Sequence, residues 1–157
     1  MENQLTILSE SLDKKLQVLQ EIQEYNKKQE QAFLSETIQL DDFDAAIEEK
    51  GRLIERLSKL DEGFEIVYGR LAEELKDNRE KYKAQIVVLQ EKIRQVTELG
   101  VSIQAQEQRN KMLVEQYFAK GRENIRQERK HSKAAYDYYK SMNGGSMASS
   151  QFMDSRQ

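Results

Sequence analysis

The chain contains no proline, and this absence bears directly on how long its helices can be. Proline removes a backbone hydrogen-bond donor and clashes with the preceding turn, so it is the residue that most often breaks a helix. The 157 residues also include only 7 glycines. Long helices are therefore permitted almost everywhere, and the apolar spacing must show where they begin and end.

Apolar residues recur every three or four positions along the first part of the chain, which places them on one side of a helix. This spacing predicts a first helix over about 2–38. Asp41 or Asp42 can cap a new helix, so a short second helix is expected over about 42–60, ending at Asp61-Glu62-Gly63. The inward positions are Leu5, Leu8, Leu12, Leu19, Ile22, Phe33, Phe43, Ile47, Leu53, Ile54, Leu57 and Leu60.

The third segment has the most regular spacing and predicts a helix over about 64–99. Gly100 and Ser102 can end this helix and cap the next, but the heptad phase continues through them. A break and one continuous helix both remain open. A last helix is expected over about 102–141, and the Gly/Ser-rich residues 143–157 are predicted to be a flexible tail.

These elements predict an all-α fold in a single domain, residues 1–142. The first and third segments have similar lengths, about 35 residues or ~52 Å each, which favours an antiparallel bundle or coiled-coil hairpin of long helices. The short second helix would cover one end. The last helix has a sparser apolar stripe, so it either packs in the bundle or projects from it.

Several classes of function are disfavoured by the composition. The chain has no cysteine, and its one histidine, His131, has no ligand-type neighbours at helical spacing, so neither a metal nor a cofactor is expected. No phosphate-binding loop occurs, and the carboxylate pairs are those of solvated helix faces, so we expect no enzymatic activity. The net charge of −3 argues against nucleic acid as the main partner.

No signal peptide and no apolar run long enough to span a membrane is found, so the expected location is the cytoplasm. Asn26, Asn78 and Asn110 fall on apolar stripes and are expected to fix helix register. Three tyrosines within four residues, at 136, 138 and 139, cannot all face one core. At least one should be exposed, as an interface anchor or as a cover for the bundle end.

Several spacings resemble the FlgN-type flagellar export chaperones. They are the stretch Glu30-Gln-Ala-Phe-Leu34, Asp41/Asp42 before Phe43, Ile47 with Lys50, the pair Leu53-Ile54 with Leu57, Asn110 with Leu113, and the ending Tyr138-Tyr139-Lys140-x-Met142. The last segment is longer and more basic than the family pattern, with seven basic against three acidic side chains over residues 119–140.

The resemblance implies a cytoplasmic chaperone in bacterial flagellum biogenesis. Such chaperones bind the C-terminal helical segment of the hook–filament junction (hook-associated) proteins, prevent their premature assembly and deliver them to the flagellar type III protein export apparatus. The alternatives are a coiled-coil stalk component of the flagellar export ATPase, which should be two uninterrupted long helices, and an unrelated helical adaptor. A homodimer is a further possibility, because an unpaired amphipathic helix can pair with a copy.

The predicted client surface lies in the last helix. On one continuous helix, Val114, Phe118, Ile125 and Tyr136 would share a face. Val114 and Phe118 can alternatively belong to the intramolecular core. The basic side chains nearby are expected to orient an acidic partner. The full set of predicted partner-binding residues is Val114, Phe118, Ile125, Arg126, Arg129, Tyr136 and Tyr139.

Overall fold

The computed structural model describes the backbone of residues 2–120 and 125–143, and the side chains of residues 2–120 and 133–142. Within these ranges the chain forms four helices and no strand, which confirms the all-α prediction. The helices are α1 (Glu2–Leu34), α2 (Leu40–Asp77), α3 (Lys83–Lys120) and α4 (Ile125–Asn143). No helix in the described part of the chain combines the length and the apolar character needed to cross a membrane.

The directions of the helices follow from side-chain contacts at two heights. Lys15 pairs with Asp61 and Phe33 packs on Phe43, so α1 and α2 are antiparallel. Lys92 pairs with Asp13, and Phe33 also packs on Tyr117, so α1 and α3 are parallel. The prediction that the first and third segments would be antiparallel was therefore wrong, because a second long helix intervenes and reverses the chain once more.

The bundle has a square cross-section over part of its length. α1 packs on α2 and α3, and α4 packs on the same two helices from the opposite side, so α1 and α4 lie on a diagonal. Tyr138 of α4 contacts Lys50 and Glu107, whereas Met142 lies near Val101. α4 is thus antiparallel to α3, and the last helix packs in the bundle rather than projecting from it.

α1 ends four residues earlier than predicted. Glu36 has a left-handed backbone with φ of 57°. The Thr37 N–H donates to the carbonyl of Ala32 at 2.9 Å and the Glu36 N–H to that of Phe33 at 3.3 Å. These are the two bonds of a Schellman motif, which satisfies the last carbonyls of α1 and turns the chain. α2 then starts at Leu40, with Asp41 and Asp42 inside its first turn rather than as caps.

α2 continues through the predicted break at Asp61-Glu62-Gly63, so the short helix over 42–60 is not observed. Three features explain the continuation. Asp61 is paired with Lys15, the buried positions Leu57, Phe64 and Leu71 keep a strict seven-residue spacing, and a glycine inside a helix costs only about 1 kcal/mol. The chain reverses instead at 78–82, inside the predicted third helix.

Asn78 marks that reversal instead of fixing a core register. It is the C-cap of α2, where its backbone N–H donates to the Leu75 carbonyl and its side-chain amide donates to the Glu74 carbonyl at 2.8 Å. α3 runs unbroken through Gly100, which resolves the two alternatives in favour of a continuous helix. The predicted flexible tail, residues 143–157, lies outside the described side chains.

A continuous apolar core joins the helices along the axis of the bundle. The most deeply buried members are Leu8, Ile22, Leu57 and Ile103, each with no exposed surface. The inward positions predicted for the first two helices are buried, except Phe33 and Leu60, which are partly covered. The periodicity therefore assigned the faces of α1 and α2 correctly.

Candidate functional site

A layer of polar side chains crosses the four-helix part of the core. At its centre is Lys50, whose side chain is completely buried. Its Nζ donates to Asn26 Oδ1 at 2.8 Å and to Gln29 Oε1 at 3.1 Å, and it pairs with Glu107 Oε1 at 3.2 Å. Because the partners come from α1 and α3, one ammonium group on α2 joins three helices.

Two tyrosines of α4 close this layer from the fourth side. The Tyr138 hydroxyl donates to Glu107 Oε1 at 2.7 Å, and its ring lies 4.4 Å from Lys50 Nζ. The Tyr139 hydroxyl accepts a hydrogen bond from Gln29 Nε2 at 3.2 Å. Burial and the negative charge of Glu107 raise the pKa of both tyrosines above their usual range, while burial lowers the pKa of Lys50 against the opposing effect of Glu107.

The polar layer continues along the α1–α3 contact. Asn110 Nδ2 donates to the main-chain carbonyl of Asn26 at 3.1 Å, and Asn26 Nδ2 reaches Gln106 Oε1 at 3.4 Å. Both asparagines are fully buried, as expected for residues that fix register. All members of the layer are buried, so it can align the helices with one another.

Sequence reasoning missed the centre of this layer. Lys50 appeared only as part of a family spacing, and Glu107 was not singled out. The signal was present, since both occupy inward positions of otherwise apolar stripes and carry opposite charges. Burial of either one alone would be very costly, whereas a hydrogen-bonded pair is tolerated.

An apolar groove lies between α2 and α3 beyond the end of α4. There the fourth corner of the square, which α4 fills at the other end, is open to solvent. We call this feature the α2–α3 groove. No α1 residue lines it, so it opens on the side from which α4 packs. Its lining residues are Phe64, Tyr68, Ala72, Glu73, Leu75, Lys76, Arg79, Ile86, Leu89, Gln90 and Ile93.

The shape of this groove matches a helix. Its volume is about 480 Å³. Its walls run from Phe64 to Lys76 on α2 and from Ile86 to Ile93 on α3, or about 18 Å and about 10 Å at 1.5 Å per residue, which is two to three helical turns. The floor is apolar and aromatic, and Phe64 stacks on Tyr68 with ring centroids 6.1 Å apart. Charged side chains form the rim at Glu73, Lys76 and Arg79.

A second cleft, of about 450 Å³, lies between α3 and α4 and contains four of the predicted partner-binding residues. Val114 and Tyr139 are buried in its floor, Phe118 is half-buried, and Tyr136 is 65 % exposed at its edge. The expectation that at least one of the three tyrosines is exposed is confirmed. Val114 and Tyr139 are already engaged in intramolecular packing, in line with the core alternative for Val114.

The remaining predicted residues belong to a different part of α4. Ile125, Arg126 and Arg129 lie on the described backbone of that helix, but their side chains are outside the described residues. The single face proposed for Val114, Phe118, Ile125 and Tyr136 required one continuous helix. α3 ends at Lys120, so that face is divided between two antiparallel helices and the assumption was wrong.

Comparisons with known proteins give no further assignment. No family model matches the chain, and neither the curated proteins nor the solved structures contain a match. Within the described residues no group of three or more histidine, aspartate or glutamate side chains is arranged to hold a metal ion.

Proposed function

We propose that this protein is a cytoplasmic chaperone that covers an amphipathic helix of a client protein before export. The sequence resemblance suggests the client class, which is the C-terminal helical segment of a hook-associated flagellar protein. It also suggests the destination, the flagellar type III export apparatus. The α2–α3 groove is the observation that supports this proposal best.

The groove supports helix binding because it continues a position that a helix already occupies. α4 packs between α2 and α3 at one end, and at the other end the same two helices present an apolar strip on which no described helix packs. A client helix lying there would complete the four-helix square along the whole bundle. Helix-in-groove recognition reads apolar anchors at i, i+3 or i+4, and i+7, which a groove of two to three turns accommodates.

The charged side chains at the rim of the groove favour one orientation of the bound helix. Lys76 and Arg79 lie at the end of the groove nearest the α2–α3 turn, and residues 76–83 carry four cations (Lys76, Arg79, Lys81, Lys83) against two anions (Asp77, Glu80). Complementary charge governs orientation and association rate more than affinity. We therefore expect the bound helix to carry acidic residues at the end that lies beside this turn.

The stalk alternative from the sequence is less compatible with this architecture. A stalk component should consist of two uninterrupted long helices, whereas the described residues form four helices. The chain reverses direction between successive helices, and the shortest of the described helices, α4, packs on only one end of the bundle. An unrelated helical adaptor would use the same groove and differs from a chaperone only in its partner.

Calorimetric titration with synthetic C-terminal segments of hook-associated proteins from the source genome tests the proposal. Micromolar or tighter binding is expected for the native chain. Ile86→Asp places a charge on the floor of the groove and should weaken binding at least tenfold, because it desolvates a carboxylate against apolar client side chains.

The matched control is Val87→Asp. Val87 is the next residue on α3, is 55 % exposed and does not line the groove, so this variant should bind like the native chain. Equal losses in the two variants, or no binding by a helical and folded native protein, would contradict the chaperone proposal and favour the adaptor or stalk.

A further inference from the structure

The α2–α3 groove lies ahead of the end of α4 along the bundle. α4 ends at Asn143, and Met142 is buried next to Val101 and Ala105 of α3. Because α4 is antiparallel to α3, its end is directed along the open corner toward Phe64 and Ile93. The end of α4 therefore points toward the groove.

The sequence that follows has a composition suited to this surface. Residues 144–157 include three large apolar side chains, Met147 and the adjacent pair Phe152 and Met153, among glycine, serine and other small or polar residues. Methionine adapts to irregular apolar surfaces, and phenylalanine supplies a large contact area. Asp154 follows these apolar residues directly, and the groove rim ends in the cations Lys76 and Arg79.

The length of this segment also fits. Tyr138 lies at the height of Lys50, so the end of α4 is about 13 Å short of Phe64 and about 36 Å short of Arg79, measured along α2 at 1.5 Å per residue. An extended chain covers up to about 3.3 Å per residue, so Phe152 reaches roughly 30 Å and Asp154 roughly 36 Å beyond Asn143. The apolar residues can therefore reach the floor of the groove, and Asp154 can reach its cationic end.

We propose that residues 144–157 occupy the α2–α3 groove when no partner is bound, with Met147, Phe152 and Met153 covering its apolar floor. A tethered segment of this length competes at an effective concentration in the millimolar range, without requiring high intrinsic affinity. The segment thereby shields the apolar strip from self-association, and a client helix binds by displacing it. Only this last step rests on the proposed function; occupancy of the groove does not.

Disulfide trapping in the full chain tests occupancy directly, because the native sequence contains no cysteine. Ser150→Cys combined with Gln90→Cys on the groove rim should cross-link at least tenfold faster under mild oxidation than Ser150→Cys combined with Glu10→Cys. Glu10 is an exposed α1 residue at the height of Lys92, so it controls for random collisions of the segment. Equal rates for the two pairs would overturn the proposal.

Substitutions in the segment separate specific contacts from proximity. Phe152→Asp, added to the Ser150→Cys/Gln90→Cys chain, should lower its cross-linking rate to that of the Ser150→Cys/Glu10→Cys control. Ser149→Asp should leave the faster rate unchanged. An unchanged advantage in the Phe152→Asp chain would also overturn the proposal, since the apolar residues would then not hold the segment in place. These measurements use no client, so their result is independent of whether the chaperone proposal is correct.

The regulatory step has its own measurement. If the segment fills the groove in nine molecules of ten, the apparent affinity for a client peptide is lowered about tenfold. The double variant Phe152→Asp/Met153→Asp should then bind the peptide about tenfold more tightly than the native chain. Unchanged affinity in this variant, with peptide binding intact, would refute the competition and leave the chaperone proposal standing.

Discussion

Replacement of Lys50 by methionine tests the energetic role of the buried polar layer. The substitution removes the cation from a site without solvent exposure and leaves the Glu107 carboxylate, which is 5 % exposed, with the Tyr138 hydroxyl as a remaining donor. Breaking one partner of a buried ion pair costs about 3–5 kcal/mol, because the other charge stays buried and uncompensated. We expect Lys50→Met to lower the free energy of unfolding by this amount.

Removal of both charges should cost much less than the sum of the two single changes. In Lys50→Met/Glu107→Leu no unpaired charge remains, although Asn26, Gln29 and Tyr138 each lose a hydrogen-bond partner. An unsatisfied buried group costs about 1–3 kcal/mol, so the double variant should be destabilised by about as much as either single variant. The coupling energy between the two positions is therefore expected to be about 3 kcal/mol or more.

Urea unfolding followed by circular dichroism measures the free energy of unfolding of the native chain, the two single variants and the double variant. Lys27→Met is the matched control, since Lys27 pairs with Glu24 at 3.6 Å on the surface, with both side chains more than half exposed. That change should alter the free energy of unfolding by less than about 0.5 kcal/mol. A Lys50→Met effect below about 1 kcal/mol, or additive single effects, would refute the reasoning.

Three further predictions concern local features. Glu36→Gly should raise the free energy of unfolding by about 1 kcal/mol in chemical denaturation, because residue 36 has φ of 57°, which disfavours a side chain; a loss of stability would contradict this. Gly100→Ala should stabilise by a similar amount, since a Cβ there meets no atom within 4 Å and α3 is continuous; a destabilised variant would show that the helix is broken at this residue. Alkaline titration should lower stability above pH 10, because the unfolded tyrosines ionise near their usual pKa of about 10 while Tyr138 and Tyr139 keep their protons in the folded state. The free energy of unfolding does not change with tyrosine ionisation below that pH, and above it falls by up to about 1.4 kcal/mol per pH unit for each tyrosine. Tyr138→Phe should therefore reduce the slope of the unfolding free energy against pH, and an unchanged slope would argue against this assignment.

The sequence predicted the helical faces well because each face is a local property. Seven-residue and three- or four-residue spacing assigns inward positions such as Leu8 and Leu57 without knowledge of their partners. The same spacing carries no information about which helix packs on which, or in which direction. The parallel α1–α3 pair therefore could not be derived from it.

The helix end predicted at residues 61–63 was wrong because helix-ending residues are only a local signal. Asp61-Glu62-Gly63 looks like the end of a helix, but its cost is small and is offset by apolar contacts from Phe64 onward and by the Lys15–Asp61 pair on another helix. α2 extends to Asp77 instead of ending near residue 60, and its additional turns form one wall of the groove opposite α3. The groove was thus beyond reach of sequence reasoning, whereas its apolar residues were already recognised as a regular stripe.

Photo-cross-linking of a client peptide to the native chain would identify the surface to which the client binds. The peptide would carry a benzophenone group at one apolar anchor position, and the modified residues would be identified by mass spectrometry. We expect cross-links to the α2–α3 groove, at residues 64–79 and 86–93, and we expect unlabelled peptide to suppress them. Cross-links concentrated in the α3–α4 cleft around Phe118 and Tyr136, or spread evenly over the surface, would contradict it.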